Sequence, residues 1–284
     1  MSGRPYRFNE ERAQEIIQKA KTGMTREALG REYGCKAQTI QRLLERYHAP
    51  YVNMDRDFSV PSCNQHYFDK IDTANKAYFL GFLFADGCNV MEKYEVTLHL
   101  QSCDRPILEA FKKEINSTLE IKRQSKILPN GETHYYDILK ICGKYLCTRL
   151  NGLGMTPRKS ATIAFPKEGE VPHAFFRDFL RGYVDGNGSL GWDHARRKYE
   201  VSITSSKIFC QQYHDYILKE LGINCRFYEY KSRGDKPYED CVISRKVESF
   251  KLMDYLYGNS ELYLQRKYEK YLIAYNEMND TKIA

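Results

Sequence analysis

The sequence predicts an α+β protein: a duplicated αββαββα core with a pseudo-two-fold axis, preceded by a small three-helix domain. Two apolar segments, residues 79–87 and 180–188, share the same spacing of small residues and include a glycine at or near their end. Each segment is followed by the same order of alternating strands and amphipathic helices. Residues 9–47 show only helical periodicity, which separates them from the duplicated part of the chain.

Length and composition allow one large domain and one small one, with 284 residues, 44 Lys and Arg, and 37 Asp and Glu. The net charge of +7 favours, without proving, a polyanionic partner. The nine cysteines include no Cys-x-x-Cys pair, which predicts reduced thiols rather than a disulfide framework or a zinc site. The beginning of the sequence has no apolar signal segment, and the longest apolar run, residues 78–85, is too short for a bilayer. We therefore expect a cytoplasmic protein.

Residues 1–47 are predicted to form a helix-turn-helix DNA-binding domain. Asn9 caps a helix that runs to about residue 21, and helices at about 26–33 and 37–47 follow. Gly30, Gly34 and Ile40 fit the small, turn and core positions of the motif. Its second helix enters the major groove, so the exposed polar residues there are candidate DNA contacts. These are Lys36, Gln38, Thr39, Gln41, Arg42 and Arg46. The alternative is a three-helix bundle that binds protein.

The remainder of the chain divides into a linker and two repeats. Residues 48–67 lack periodicity and are rich in turn-forming residues, which predicts the linker. The repeats are assigned to residues 68–165 and 166–284. After its apolar helix, the first repeat is expected to have strands at 96–101, 121–128 and 135–141, and helices at 106–119 and 144–153. The second is expected to have strands at 201–204, 225–231 and 238–245, and helices at 208–221 and 247–257.

The two apolar segments are predicted to form a pair of helices in close contact. Gly81 and Ala85 lie four residues apart, as do Gly182 and Gly186, so each pair occupies one helix face and lets two backbones approach. This packing would bring Asp86 and Asn187 together at the ends of the two helices. Because an acid at a helix C-terminus is disfavoured by the macrodipole, a bound cation would stabilise it, which suggests a metal site. The alternative is two ordinary buried helices with polar C-terminal residues.

These two segments resemble the motif of the LAGLIDADG homing endonucleases. The similarity extends over about residues 68–271, and the chain looks like a single-chain member with two repeats and an additional N-terminal module. The resemblance implies a monomer that binds double-stranded DNA at a long asymmetric site and hydrolyses phosphodiester bonds. It also implies two or more divalent cations, and oxygen ligands suit Mg²⁺.

The resemblance assigns the metal ligands to the ends of the two helices. Asp86 would bind through its carboxylate with the Ala85 carbonyl nearby, and the matching positions are Asn187 and the Gly186 carbonyl. The sequence departs from the family here, because asparagine keeps an oxygen ligand but lacks the negative charge of the usual acid. Three explanations remain open: a variant that still cleaves, a protein that nicks one strand or is inactive, and an engineered substitution.

Two lysines and two polar residues complete the candidate active site. Lys159 resembles the active-site lysine of the first repeat, and Lys267 lies in the matching place of the second. Either could polarise the attacking water or balance charge on the scissile phosphate. The alternative is that both are surface lysines that contact backbone phosphates. Gln101 and Ser205, near the end of the first long strand of each repeat, are candidates for the surrounding water network.

The polar faces of the predicted sheets form the candidate surface for the duplex. Two such faces make a saddle, in which residues on the open face would contact bases and the others phosphates. The candidates in the first repeat are Thr97, His99, Lys122, Arg123, Lys126 and Lys140. Those in the second are Ser202, Thr204, Arg226, Tyr228, Tyr230, Lys231, Arg233 and Arg245.

The function expected from the sequence is site-specific, metal-dependent cleavage of double-stranded DNA, impaired or limited to nicking if Asn187 weakens the second metal. One alternative is a DNA-binding protein on the same scaffold that has lost cleavage, which Asn187 favours. The other is an RNA-splicing maturase, which a separate basic surface outside the saddle would favour; the sequence shows no distinct surface of this kind.

Overall fold

The computed structural model describes residues 8–22, 24, 26–47, 49, 62–231 and 237–283. The chain divides into two units, Met1–Pro61 and Ser62–Ala284, which are described here separately. Within the described residues, none of the helices is both long enough and apolar enough to cross a membrane.

The first unit contains three helices around a small apolar core. They are α1 (Glu10–Lys21), α2 (Arg26–Glu32) and α3 (Ala37–Arg46). Asn9 caps α1 as expected, since its side-chain oxygen accepts a hydrogen bond of 3.0 Å from the Arg12 backbone N–H. The core consists of Phe8, Ala13, Ile16, Ile17, Ala20, Leu29, Ile40, Leu43 and Leu44.

Two glycines permit the tight connection between α2 and α3. A Cβ atom on Gly30 would lie 2.7 Å from the carbonyl oxygen of Cys35, so a larger residue would push the helices apart. Gly34 has a φ of +63°, in the left-handed region that glycine adopts without strain. This geometry leaves the candidate DNA-contacting residues of α3 and its N-terminal flank on the outside. Lys36, Gln38, Gln41, Arg42 and Arg46 are exposed, and Thr39 is half-buried.

The second unit contains two copies of the αββαββα order, which confirms the predicted fold class. The first copy comprises α4 (Ala74–Asp86), β1 (Gly87–Val90), β2 (Glu95–Gln101), α5 (Arg105–Glu114), β3 (Lys122–Ile127), β4 (Thr133–Cys142) and α6 (Lys144–Leu153). The second comprises α7 (His173–Asn187), β5 (Gly188–Asp193), β6 (Lys198–Ser206), α8 (Lys207–Leu221), β7 (Arg226–Lys231), β8 (Pro237–Ile243) and α9 (Lys246–Tyr257). A further helix, α10 (Gln265–Ile283), follows and had no counterpart among the expected elements.

Each copy forms a four-stranded antiparallel sheet with the same strand order. The first sheet has the order β1-β2-β4-β3, and the second has the order β5-β6-β8-β7. Gly87 pairs with Leu98 in the first sheet, and Gly188 pairs with Ile203 in the second. These two pairs define equivalent positions in the repeats, so that Leu100 is the counterpart of Ser205.

The helices α4 and α7 pack with their backbones in contact. A Cβ atom on Gly81 would lie 1.9 Å from the carbonyl oxygen of Phe179, and one on Gly182 would lie 1.9 Å from that of Tyr78. Each carbonyl belongs to the residue three positions before the glycine of the other helix. The contact is therefore symmetric, as expected from the spacing of the small residues.

Two of the differences from the expected boundaries have a clear structural cause. Residues 62–67, expected in the linker, belong to the second unit because Cys63 and Tyr67 are buried in its core. The helix expected to reach residue 119 ends at Glu114, and Asn116 then adopts a φ of +50°, outside the range of a right-handed helix. This turn allows the Thr118 backbone N–H to donate to the carbonyl of Ser62.

One continuous apolar core joins the two repeats. In the first sheet, Val96, Leu98 and Leu100 face this core from β2 and are buried. On the same strand His99 and Gln101 are exposed on the opposite side, which we call the open face. The second sheet has the same arrangement, with Ile203 buried and Thr204 exposed on its open face.

Candidate active site and nucleic-acid interface

Asp86 and Asn187 are the last residues of α4 and α7, the two helices in contact. Close to this point a Cβ atom on Gly186 would lie 3.3 Å from Oδ2 of Asp86. The carboxylate of the first repeat therefore lies against the backbone of the second, one residue before Asn187. The helix contact through small residues brings the two predicted ligands to the same place.

Lys159 is buried at the end of α4, with 7% of its surface exposed. Its Nζ donates hydrogen bonds of 3.1 Å to the carbonyl of Ala85 and 2.7 Å to that of Gly87. Burial lowers the pKa of Lys159 to about 8, and the charge of Asp86 opposes that change. The lysine thus satisfies carbonyls that the end of the helix leaves without a partner.

Lys267 has the equivalent role at the end of α7 and is 3% exposed. Its Nζ donates to the carbonyls of Val184 and Asp185, both at 2.6 Å, and to that of Gly188 at 2.7 Å. Burial lowers its pKa to about 8, opposed mainly by the charge of Asp185. Gly87 and Gly188 are equivalent residues, so the two lysines make one matching hydrogen bond each.

Asp86 lies in a predominantly positive environment. Asp86 as a whole residue is exposed to solvent. Burial of its carboxylate among protein atoms nevertheless raises the pKa of Asp86 above the ordinary value for aspartic acid. The charges of Lys267, Lys159 and Arg266 oppose this rise, and that of Lys267 does so most strongly. The positive charge with the largest effect on the pKa of Asp86, in the first repeat, is therefore that of Lys267, in the second repeat.

Asn187 is held by a chain of neutral hydrogen-bonding groups. Its Nδ2 donates a hydrogen bond of 3.2 Å to the hydroxyl of Tyr183, which is 2.6 Å from Oγ of the buried Ser205. The counterparts of Tyr183 and Ser205 in the first repeat are Phe82 and Leu100, so this polar chain exists on one side only. A cavity of about 310 Å³ lies beside it, lined by Phe84, Ala85, Lys159, Ser160, Ile163, Asn187, Thr204, Ser205 and Tyr238.

Asp185 is the other carboxylate close to the second helix end, but it is buried and fully hydrogen-bonded. It accepts bonds of 2.7 Å from the Tyr78 hydroxyl, 2.6 Å from the Tyr257 hydroxyl and 2.8 Å from the Leu264 backbone N–H. Burial raises its pKa despite these donors. Asp185 therefore stabilises the packing around α7 and does not replace the acid missing at Asn187.

The donors near Asp86 fit a hard divalent cation in part. No residue in the described part of the chain donates a hydrogen bond to the Asp86 carboxylate, which leaves both oxygens available. The Ala85 carbonyl is a poorer ligand, because the charged Nζ of Lys159 is 3.1 Å away. Among the described residues there is no group of three or more His, Cys, Asp or Glu side chains that could bind a metal. The site thus offers one carboxylate, an amide and backbone carbonyls.

The sequence did not reveal an ion pair that connects the two repeats beside this site. Nε of Arg266, on α10, lies 3.1 Å from both carboxylate oxygens of Asp104, which precedes α5. Asp104 is buried, whereas Arg266 is about half exposed. The only available signal was the position of Arg266 directly before the predicted active-site lysine.

Most of the predicted DNA contacts lie on the open faces of the sheets. Strand register assigns to these faces Thr97, His99, Lys122, Lys126 and Lys140 in the first sheet, together with the active-site candidate Gln101, and Ser202, Thr204, Arg226 and Tyr228 in the second. All of these are exposed except the half-buried Ser202 and the buried Thr97. Thr97 is therefore the least accessible of the predicted contacts.

Five other predicted contacts are differently placed or lie outside the described residues. Arg123 lies on the opposite face from its neighbour Lys122 and forms a bidentate ion pair with the buried Asp137, with N···O distances of 3.1 and 3.2 Å. Arg245 precedes α9, outside the sheet, and donates to Glu248. Arg233, and the side chains of Tyr230 and Lys231, lie outside the described part of the chain.

Comparison with known proteins gives one family and several solved structures. Residues 175–254 match the family described as LAGLIDADG-like domain. No curated protein matches the chain. The homing endonuclease I-WcaI bound to its DNA recognition sequence is 9% identical, with 72% of this chain and 91% of that chain covered and a TM-score of 0.49.

Two further solved structures show similarity at the same low level. The I-SmaMI LAGLIDADG homing endonuclease bound to cleaved DNA is 14% identical over 72% of this chain and 90% of that chain, with a TM-score of 0.43. Full-length DUF199/WhiA from Thermatoga maritima is 15% identical over 76% of this chain, with a TM-score of 0.46. The match covers 66% of the WhiA chain, slightly less than two thirds of its length.

Proposed function

We propose that the chain is a site-specific endonuclease of double-stranded DNA, because residues 175–254 match the family described as LAGLIDADG-like domain. The observation that supports this most directly is the contact between Asp86 and the end of α7, beside the buried amines of Lys159 and Lys267. Both repeats are present in one chain, so we infer that it acts as a monomer on a long asymmetric site.

Each side chain near the helix ends has a distinct task in this proposal. Asp86 would hold Mg²⁺, with the Asn187 amide oxygen and the Gly186 carbonyl as further ligands. A Mg²⁺ ion held there would supply Lewis acidity toward the phosphate. Lys159 and Lys267 place positive charge near the phosphate as negative charge develops on it. Because their N–H groups are already bonded to carbonyls, this charge is held in position before the reaction.

The open faces of the two sheets and the helix α3 are the proposed DNA-binding surfaces. Lys122 and Lys126 on the first sheet and Arg226 on the second are exposed cations that can contact phosphates or base edges. On α3, Gln38 and Arg42 are exposed residues of the types that bind base edges in the major groove.

A second candidate function is specific DNA binding without cleavage. Asn187 favours it, because the second helix end carries no charge to hold a cation. The hydrogen bond from Lys159 to the Ala85 carbonyl favours it as well, because an amine is already bound where the resemblance implied a metal ligand.

The deciding experiment selects bound duplexes from a random library and inserts the selected sequence into a supercoiled plasmid. With Mg²⁺ we expect nicked and then linear plasmid, and we expect neither product with EDTA. Asp86→Asn should abolish cutting and retain binding, whereas Asp72→Asn, before the opposite end of the same helix, should cut as the wild type does. Specific binding without any cutting by the wild type would favour the second candidate, and normal cutting by Asp86→Asn would contradict the proposed role of Asp86.

A further inference from the structure

The two repeats differ at the residue that precedes their second helix. Asp104 occupies the N-cap position of α5, and Ser206 occupies that of α8. Ser206 behaves as an N-cap, since its Oγ accepts a hydrogen bond of 3.1 Å from the Phe209 backbone N–H. Asp104 makes no such bond. Its carboxylate instead binds Arg266 from the other repeat, so its helix lacks the usual cap.

The Asp104–Arg266 contact leaves most of the guanidinium available. Only Nε of Arg266 bonds to Asp104, and its two terminal amino groups make no hydrogen bond to a residue in the described ranges. These groups carry four N–H donors in a rigid plane, an arrangement that matches two oxygens of a phosphate. The side chain is 49% exposed, so the donors are accessible.

The matching arginine of the first repeat is not held in this way. Arg158 precedes Lys159 as Arg266 precedes Lys267, but it is exposed and forms no ion pair with any residue that the structure describes. The residue equivalent to Asp104 is Ser206, whose hydroxyl donates to the Ile163 carbonyl. The charges of Arg266 and Asp104 both act on the Asp86 carboxylate. The Asp86 centre therefore has an arginine held by a buried carboxylate, and the Asn187 centre does not.

We propose that Arg266, held by Asp104, binds the DNA phosphate at the Asp86 centre, and that the Asn187 centre has no equivalent contact. This inference rests on the proposed DNA-binding function and adds a specific phosphate and an asymmetry between the two strands. Asp104 is a positioning residue, since it acts only by fixing the plane of the guanidinium. The strand next to Asp86 is then the strand that the protein holds through Arg266.

The test measures binding, so that it does not depend on cleavage. Each central phosphate of the selected duplex is replaced singly by a neutral methylphosphonate, and affinities are measured in EDTA at fixed salt. For the wild type we expect one phosphate, on one strand, whose neutralisation weakens binding on the order of tenfold, as for loss of a charged hydrogen bond. Arg266→Ala should bind the natural duplex correspondingly more weakly and be insensitive to that replacement. Arg158→Ala should keep the wild-type pattern.

Two more variants separate this contact from a loss of stability. Asp104→Asn/Arg266→Gln removes both charges and leaves no buried carboxylate unpaired, and it should also lose sensitivity at that phosphate. In Asp104→Asn alone, neutralising the same phosphate should still weaken binding, but by less than in the wild type. An equal loss of affinity would show that Asp104 does not position the arginine. The proposal would be overturned if neutralising this phosphate weakened binding in both Arg266 variants as much as in the wild type. It would also be overturned if Arg158→Ala became insensitive to the same replacement. The expected pattern in a protein that never cuts DNA would support this contact and refute the endonuclease.

Discussion

The Nζ atom of Lys159 lies 2.7 Å from the carbonyl oxygen of Gly87, the residue that follows helix α4. Lys267 makes the equivalent bond to Gly188, also at 2.7 Å. In total, however, Lys159 donates to two carbonyls and Lys267 to three. A neutral amine has two N–H groups, which are enough for the first set and one too few for the second. Lys159 can therefore lose its proton with all its hydrogen bonds intact, and Lys267 cannot.

Burial lowers the pKa of both lysines, but the third hydrogen bond of Lys267 opposes the loss of its proton, so we expect the pH dependence of stability to depend more on Lys159. Burial lowers its pKa from 10.5 to about 8 in the folded protein. Between these values the unfolded chain keeps a proton that the folded chain has lost, so the free energy of unfolding rises with pH. The contribution of one such lysine is about 1.4 kcal/mol per pH unit. It is absent below pH 8, where both states are charged.

Urea denaturation from pH 7.5 to 10 measures this contribution as the difference between the wild type and Lys159→Met. The subtraction removes the titration of tyrosines and cysteines, which both proteins share. Lys267→Met is the matched variant, and we expect it to change the slope of the free energy of unfolding against pH less than Lys159→Met does. Equal slopes for the wild type and Lys159→Met would contradict the shifted pKa.

The contact between α4 and α7 predicts that neither central glycine can gain a methyl group. In Gly81→Ala or Gly182→Ala the new atom would meet a backbone carbonyl at 1.9 Å, and the helices would have to separate. We expect a loss of about 1–3 kcal/mol in the free energy of unfolding, as for other overpacked cores. Gly152→Ala in α6 is the control: its new Cβ meets nothing within 4 Å, so we expect a gain of up to about 1 kcal/mol. Similar melting temperatures for all three variants would disprove the close contact.

Restoring an acid at position 187 should increase double-strand cleavage. Asn187→Asp adds the missing charge, and we expect linear plasmid to form faster by on the order of 10²–10³, the usual effect of one preorganised electrostatic contact. The hydroxyl of Tyr183 can donate to the new carboxylate, so the side chain remains anchored. Equal rates for the wild type and Asn187→Asp would show that position 187 is not a metal ligand.

An exchange of Asp86 and Asn187 provides a control with unchanged net charge. Asp86→Asn/Asn187→Asp moves the acid from one helix end to the other. With differently labelled strands, the strand cut first should change. If both proteins cut the same strand first, the position of the acid does not determine strand choice.

The exposed side of α3 predicts a measurable contribution to DNA affinity. Gln38→Ala or Arg42→Ala should weaken binding of the selected duplex, and Arg42→Ala should reduce the dependence of log affinity on log salt by about one unit if the arginine contacts a phosphate. Mobility-shift titrations at several salt concentrations measure both effects. Glu11→Gln on α1 serves as the surface control. Wild-type affinities for both α3 variants would exclude this helix from the interface.

The order of the elements was predictable because it is written in local patterns. Small residues four apart placed Gly81 against α7, and strict alternation assigned His99 and Thr204 to the polar faces of their strands. The same alternation could have shown that Arg123 lies on the other face from Lys122. The length of the helix after β2 was not predictable, because it depends on a hydrogen bond between Ser62 and Thr118, far apart in the chain.

The sequence by itself determined the duplicated core, the close pair of helices and the placing of Asp86 and Asn187 at their ends. Periodicity and residue spacing act within a few turns, so they can be seen in the chain. Only the tertiary structure decided which carbonyls each lysine bonds, which environment surrounds Asn187, and that Arg266 binds Asp104. Those two residues are separated by 162 positions. A contact over that distance depends on how both repeats pack, and no local pattern encodes it.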